Sequence, residues 1–554
     1  MKKIFFSITL LFLVTGIFSC KKAFLDEKPL DFLSGSNAYT TYADFNIAAT
    51  DLYRVTRVEF YTRNETNPFD YLYGCDIVFD GQPATARHTP MISAYATTGD
   101  IPLTHWSAFY KIISEANAII SRAPNSTMTD DQKNLVTAKA KFFRGFAYRT
   151  LAYLYGGVPL ITQEVTSAKT DFTRATKEAV YVQCIEDLKF AVANLPSINK
   201  VLDGEVNSQA AGHLLAEVYL AAGKYQDAVD AATKVITNPN VHLMTSRFGA
   251  KANEATGNVY WDLFQPGNQN RTKSGNQEGL WVIQLETDVP GGSAVSTGMG
   301  GNYLLERNCA PDLTLITSPN PNPFLWPVDD LTGGRGIGWA ISTKHFSDEI
   351  WASDFDNDIR NANINFVRNF TATNPASSYY GKVISTQAPI PGLTVPSRQF
   401  YAYEAKCTTP GGHPAGLIMD PSTGLLKATA GGTYLDQYMF RLAETYFIRA
   451  EAYMNLNNTT AAAADINAVR ARSNAKPVDP ANVNIDYILD ERLRELGYEE
   501  KRRLTLMRLG LWYDRVKRFN PYYSDALPTY NLWPIPQTEI ERNNTSKLTQ
   551  NPGY

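Results

Sequence analysis

Trp261, Trp281, Tyr303, Trp326 and Trp339 stand in sequence rich in Gly, Asn and Pro, where a ring has fewer core neighbours than it would on a packed helix. A flat ring held on a loop can stack on a flat face of a ligand, while carboxylate, amide and guanidinium groups pair with its polar groups. That is binding chemistry, and it breaks no bond. Arg87, in a second loop-like stretch, adds a fork of donors to the same repertoire. The competing expectation for any one ring is packing beneath a loop or against a helix. With 31 Tyr, 27 Phe and 8 Trp in 554 residues, the chain carries more ring surface than a core alone usually takes.

Bond-breaking chemistry finds no such support. The sequence holds no GxSxG elbow, no HExxH, no Walker A run and no GxGxxG, and its 6 His are scattered without ligand spacing. No catalytic residue, metal site or cofactor is therefore expected. Asp354-Phe355-Asp356-Asn357-Asp358 opens like a calcium loop, but Ile359 stands where the turn needs Gly and Asn365 where it needs Glu. We read it as a solvated acidic loop in which Asp358 pairs with Arg360. A net charge of -3 provides no broad basic surface for phosphate backbones, so nucleic acid is not an expected partner. Cys75, Cys184, Cys309 and Cys407 form no CxxC pair; one or two bridges involving Cys75 or Cys309 stay open, and Cys184 is expected to be buried.

Rings on loops act together only when rigid elements hold them. Residues 105–122 set Trp106, Phe109, Tyr110, Ile113, Ala116, Asn117 and Ile120 on one face of an amphipathic helix. Residues 129–155 open with Thr-Asp-Asp, place Ala138, Phe142, Gly145, Tyr148, Ala152 and Tyr155 on one stripe, and stop at Gly156-Gly157-Val158-Pro159. Further helices are expected over 177–195, over 208–237 as a pair broken at Gly223, over 441–453 with 464–470, and over 485–509 as one charged helix. In the Gly223 pair, small residues alternate with Tyr and Leu, a pattern that resembles a tetratricopeptide helix-turn-helix. The helical scaffold is thus expected at about 105–239 and 436–520, with loop-rich insertions at about 56–104 and 240–435. Insertions of that length are uncommon unless they bind something.

The N-terminus reads as an export signal over residues 1–19: Lys2 and Lys3 precede an apolar run from Ile4 to Phe18. Thr15-Gly16-Ile17-Phe18-Ser19-Cys20 resembles the lipobox of bacterial lipoproteins, which would make Cys20 the lipidated first residue of a mature chain 20–554. Acyl chains then provide the only membrane attachment.

Several segments, in order, carry a wider resemblance: Arg144, Tyr148 and Leu151 with Tyr155-Gly156-Gly157-Val158-Pro159-Leu160; Arg441-Leu442-Ala443-Glu444 through Ala450-Glu451-Ala452; Ala464-Asp465-Ile466-Asn467 with Val469-Arg470-Ala471-Arg472; Glu491-Arg492 through Arg503; and Pro534-Ile535-Pro536 with Asn551-Pro552-Gly553-Tyr554. By these the chain resembles the SusD/RagB family of nutrient-binding outer-membrane lipoproteins. The resemblance implies a mainly α fold in which four tetratricopeptide-like helical pairs form a right-handed superhelical scaffold for an irregular, loop-built binding face. It also implies cell-surface binding of oligosaccharide without catalysis, delivery to a SusC-like TonB-dependent outer-membrane transporter, and ligand-binding positions near Asp76 and Tyr95. Lys21 and Lys22 depart from the acidic residues that often follow the anchor in surface-exported members. Capture of peptide or another nutrient with the same partner, and a tetratricopeptide scaffold that binds only protein, are the alternatives. Arg144, Arg441, Glu444, Arg470 and Glu491 are expected to form ion pairs inside the scaffold, and Trp106, Trp512 and Trp533 to pack in the core.

Overall fold

A computed structural model describes residues 39–554 apart from 83–86, 286, 290–294, 296–301, 326–333 and 409–410. The export segment, Cys20 and Trp326 lie outside the described residues. The long helices are α1 (Tyr42–Arg57), α2 (Asp100–Arg122), α3 (Asp130–Tyr155), α4 (Lys177–Asn194), α5 (Ser208–Ala221), α6 (Tyr225–Ile236), α7 (Leu442–Asn455), α8 (Thr459–Arg472) and α9 (Ile485–Leu496). The shorter α10 (Arg502–Leu509) and α11 (Trp512–Phe519) follow.

Local chemistry sets most of these boundaries. Thr129 caps α3 in a capping box with Gln132, and Gly156, at φ 75°, ends it. Asn207 caps α5 by accepting from Gln209 N and Ala210 N. The expected helix over 485–509 is two helices, because Gly497, at φ 44°, ends α9. Helix α1, outside the expected helical segments, packs its Phe45, Ala49, Leu52 and Val55 inward.

Packing runs without interruption: α1 lies on α2, α2 on α3, α3 on α4, α4 on α5, α5 on α6, α6 on α7, and α7 on both α8 and α9. The array therefore closes across the insertion in sequence between α6 and α7. Small residues permit the approach. A Cβ on Gly145 would stand 3.1 Å from Leu188 of α4, and one on Gly212 would stand 2.8 Å from Val235 of α6. Arg144 ties three helices together, reaching Asp187 of α4 through two 2.7 Å bonds and Asn117 of α2 through another of 2.7 Å. Trp106, Trp512 and Trp533 are buried, as expected.

The insertions hold short elements pinned to this array. Strand β1 (Val78–Asp80) pairs antiparallel with β3 (Ala340–Ser342), joining the first insertion to the second. Strand β2 (Gly279–Ile283) pairs antiparallel with β4 (Gln437–Arg441), which leads directly into α7. Where β4 meets α7, a buried charge network locks loop to scaffold. Arg441 reaches Glu278, Glu495 and Glu499, Arg472 reaches Glu278 and Glu495, and Arg470 reaches Glu491. Arg360 joins Asp358 to Glu491 and Glu495. The Asp358–Arg360 pair exists, but both residues are buried, which corrects the expectation of a solvated loop. Cys75, Cys184, Cys309 and Cys407 are free and buried, so neither Cys75 nor Cys309 is bridged. No helix among the described residues is long and apolar enough to cross a membrane.

Candidate functional site

The loops open a cleft of about 720 Å³ between residues 342–349, 386–402 and 518–522. Its apolar surface comes from Pro389, Val395, Pro396, Tyr401 and Phe519, and its polar rim includes Lys344, Asp348, Glu349, Gln387 and Arg518. Tyr522 stands at its edge with 53% of its surface exposed. One face of that ring stacks on Phe79 at a centroid distance of 3.5 Å and 8° between planes. Since Phe79 is buried in the middle of β1, the stack fixes the ring and leaves the opposite face to solvent. Cleft geometry of this kind, apolar with a few convergent polar groups, suits a planar-faced, hydroxyl-bearing ligand.

The wall is braced from behind. His345 stacks on Phe519 at 3.7 Å, and its Nε2 meets Asp490 at 2.9 Å. Arg515 donates to the same Asp490 oxygen at 2.5 Å and to Asp76 at 2.8 Å. Burial alone would raise the Asp76 carboxyl, but Arg502 and Arg515 override it and hold it well below the usual carboxylate range. Asp76 is thus a buried bracing residue, correcting its expected place on the binding face.

The other expected contacts are also largely interior. Tyr95 is buried, its hydroxyl accepts from Arg503 at 2.5 Å, and its ring packs among Trp512, Tyr530 and Trp533. Tyr303 stacks on Phe69 with 5° between planes and meets Tyr61 edge-on. Trp281 lies inside a cage of Phe142, Phe143, Phe146 and Phe440. Trp261 is buried, with Arg247 and Lys251 over its ring at 5.9 and 5.2 Å. The guanidinium of Arg87 is engaged by Asp70 at 2.9 Å and by Asp100. Only Trp339 among the described rings of that set stays half-buried rather than buried. The reason is common to all: a long insertion must cover its own backbone, and large rings fill the space beneath it. Tyr522 was not among the expected contacts. The signal for it is Asn520-Pro521-Tyr522-Tyr523, a turn sequence with paired rings just beyond α11.

Asp70, which holds Arg87, belongs to a buried cluster with a measurable pH signature. His105 is fully enclosed, with Nε2 2.9 Å from Asp70 and Nδ1 on Glu59. Burial would depress its pKa, but the charges of Glu59 and Asp70 prevail and push it up to about 9 from 6.5. A pKa raised on folding gives stability that is complete below pH 6.5 and lost as pH rises through about 9. We expect His105→Gln to be most destabilising near pH 6.5 and just below, with a deficit that narrows as pH rises through about 9. Urea midpoints across that range check this, and a deficit independent of pH would refute the protonated bridge.

Helical pairs stacked in a continuous array, with a cleft lined largely by the loops they carry, define an α-helical scaffold protein with a binding face. Comparison with known proteins assigns the family. The SusD family model matches residues 397–554, and a model described as starch-binding associating with outer membrane matches residues 75–220. SusD-like protein P2 of Formosa agariphila is 26% identical, with 100% of each chain aligned. Starch-binding protein SusD of Bacteroides thetaiotaomicron is 24% identical over 77% of this chain and 74% of its own. A solved laminarin-binding SusD-like protein superposes with a TM-score of 0.67 at 22% identity, covering 93% of this chain and 100% of that one, which establishes the shared fold. The chain belongs to the SusD-like family.

Proposed function

We propose that this protein is a non-catalytic oligosaccharide-binding lipoprotein of the outer membrane, anchored through Cys20, that passes ligand to a SusC-like TonB-dependent transporter. Membership of the SusD-like family supports the class, and the printed names of relatives, starch-binding and laminarin-binding, support a glycan as ligand. The observation that carries the site is the cleft at Tyr522, where a ring fixed from behind by Phe79 faces open space beside Lys344, Gln387 and Arg518. Residues 56–104 and 240–435 act as the binding insertions in this reading, held on the helical scaffold.

Titration calorimetry of the mature chain against starch and laminarin oligosaccharides tests it. Saturable heat is expected with at least one glycan. Tyr522→Ala should weaken that binding about tenfold, equivalent to about 1.4 kcal/mol for one lost stacking surface. Unchanged affinity in a folded Tyr522→Ala protein would remove the cleft from the reading; silence across a broad glycan panel would remove the glycan.

A further inference from the structure

Beyond the residues that line the cleft, we infer that Arg307 and Trp339 form a second recognition point, for an anionic oxygen group on a sugar: the carboxylate of a uronic acid or a sulfate ester. This rests on the reading that the chain binds oligosaccharide. Main-chain bonds from Ile337 N to Arg307 O (2.8 Å) and from Trp339 N to Asn308 O (3.1 Å) lay the two segments side by side. The Arg307 guanidinium lies 6.0 Å from the centre of the Trp339 ring.

The donors here outnumber their acceptors. Arg307 gives Nε to Glu65, but its Nη1 and the Trp339 Nε1 are enclosed and meet no acceptor among the described residues. Neighbouring carboxylates are engaged elsewhere: Glu306 accepts from Arg335 N at 2.9 Å and pairs with His413 at 2.7 Å, while Asp312 accepts from Thr314 at 2.5 Å and pairs with Arg398. An enclosed donor without a partner is unfavourable, and Arg307 and Trp339 each carry one on segments that lie side by side, which calls for an acceptor from outside. Both residues remain only part-buried, so the pair lies just under the surface of the loop-rich side. Arg335 adds positive charge; burial and the charge of Arg307 lower its pKa, which places the two guanidinium groups within each other's field. A carboxylate or sulfate presents two oxygens to two donors, and its charge-assisted bonds are roughly twice as strong as those of a neutral hydroxyl.

The test reads the indole itself. In the mature chain labelled with ¹⁵N-tryptophan, the Trp339 signal is identified as the one missing from Trp339→Phe. Methyl glucuronide, glucose 6-sulfate and methyl glucoside are then titrated separately. Saturable movement of that signal with glucuronide or with the sulfate ester, at least tenfold weaker with glucoside, supports the inference and tells carboxylate from sulfate. Arg307→Gln should abolish the preference, and Arg307→Lys should restore part of it with the Glu65 contact retained. No movement with either anion, or equal movement with glucoside, overturns the inference. If oligosaccharide still binds in calorimetry, the glycan reading stands without it; if calorimetry is also silent, both fall.

Discussion

Glu495→Gln should destabilise the folded chain by about 3 kcal/mol or more, the scale found when one partner of a buried ion pair is removed. The Glu495 carboxylate is fully buried at the centre of the network that joins insertion to scaffold. It accepts from Arg441 at 2.5 Å and from Arg360 at 3.0 Å, and it pairs with Arg472. Glutamine has nearly the same shape, so little packing is lost. What changes is charge: three enclosed guanidinium groups lose a counter-ion they share, and an amide N–H₂ is turned toward donors. Replacing the entire set by apolar residues would be a different experiment, because desolvation would be relieved along with the pairing.

The acid limb gives this prediction its control. Burial acts to raise the Glu495 pKa, but Arg472, Arg441 and Arg360 override it and bring it down to about 2 from 4.5. A carboxyl depressed on folding contributes stability that is present above pH 4.5 and lost as pH falls toward about 2. The difference between wild type and Glu495→Gln in urea should therefore be largest near neutrality and shrink below pH 4.5. Equal midpoints at neutral pH would mean that the network contributes no net stability.

The same network shows what a sequence discloses and what it withholds. Charged residues in or at the start of otherwise apolar helices, such as Arg144, Arg441, Arg470 and Glu491, predict interior ion pairs, and each has one. Helix limits were legible wherever a cap or a stop is local: Thr129 and Gly156 bound α3, and Asn207 opens α5. Partners such as Glu278 and Asp76 were not legible, because their counter-charges lie far along the chain: Arg441 for the one, Arg502 and Arg515 for the other. Helix α1 escaped for a related reason. Its buried stripe of Phe45, Ala49, Leu52 and Val55 is broken by polar residues and makes sense only against α2 and α3.

Rings posed the harder problem. Trp281 and Tyr522 both sit in loop-like sequence, yet one is enclosed and the other open. Strand pairing decides between them. Trp281 lies on β2, whose pairing with β4 carries it against α3, whereas Tyr522 follows α11 and stacks on Phe79 of β1 with more than half of its surface left open. Composition near a ring records neither partner.

Trp281→Ala accordingly becomes a test of interior packing. The indole is 1% exposed, contacts Phe142, Phe143, Phe146 and Phe440 at centroid distances of 5.4 to 5.8 Å, and donates from Nε1 to Gly204 O at 3.1 Å. Its removal opens a cavity that the aromatic cage cannot collapse to fill, since those rings belong to α3 on one side and β4 on the other. The expected loss is about 3–5 kcal/mol, the range for large-to-small substitution of buried aromatics. Trp281→Phe should lose less, keeping a ring in the cage while forfeiting the bond to Gly204. Denaturant unfolding gives the size of the loss, and glycan affinity per folded molecule separates the possible causes. Destabilisation with affinity retained identifies Trp281 as a core residue with no part in binding. Lost affinity at unchanged stability would instead make Trp281 a stacking surface, a role that requires β2 to leave β4 and expose the ring when ligand arrives.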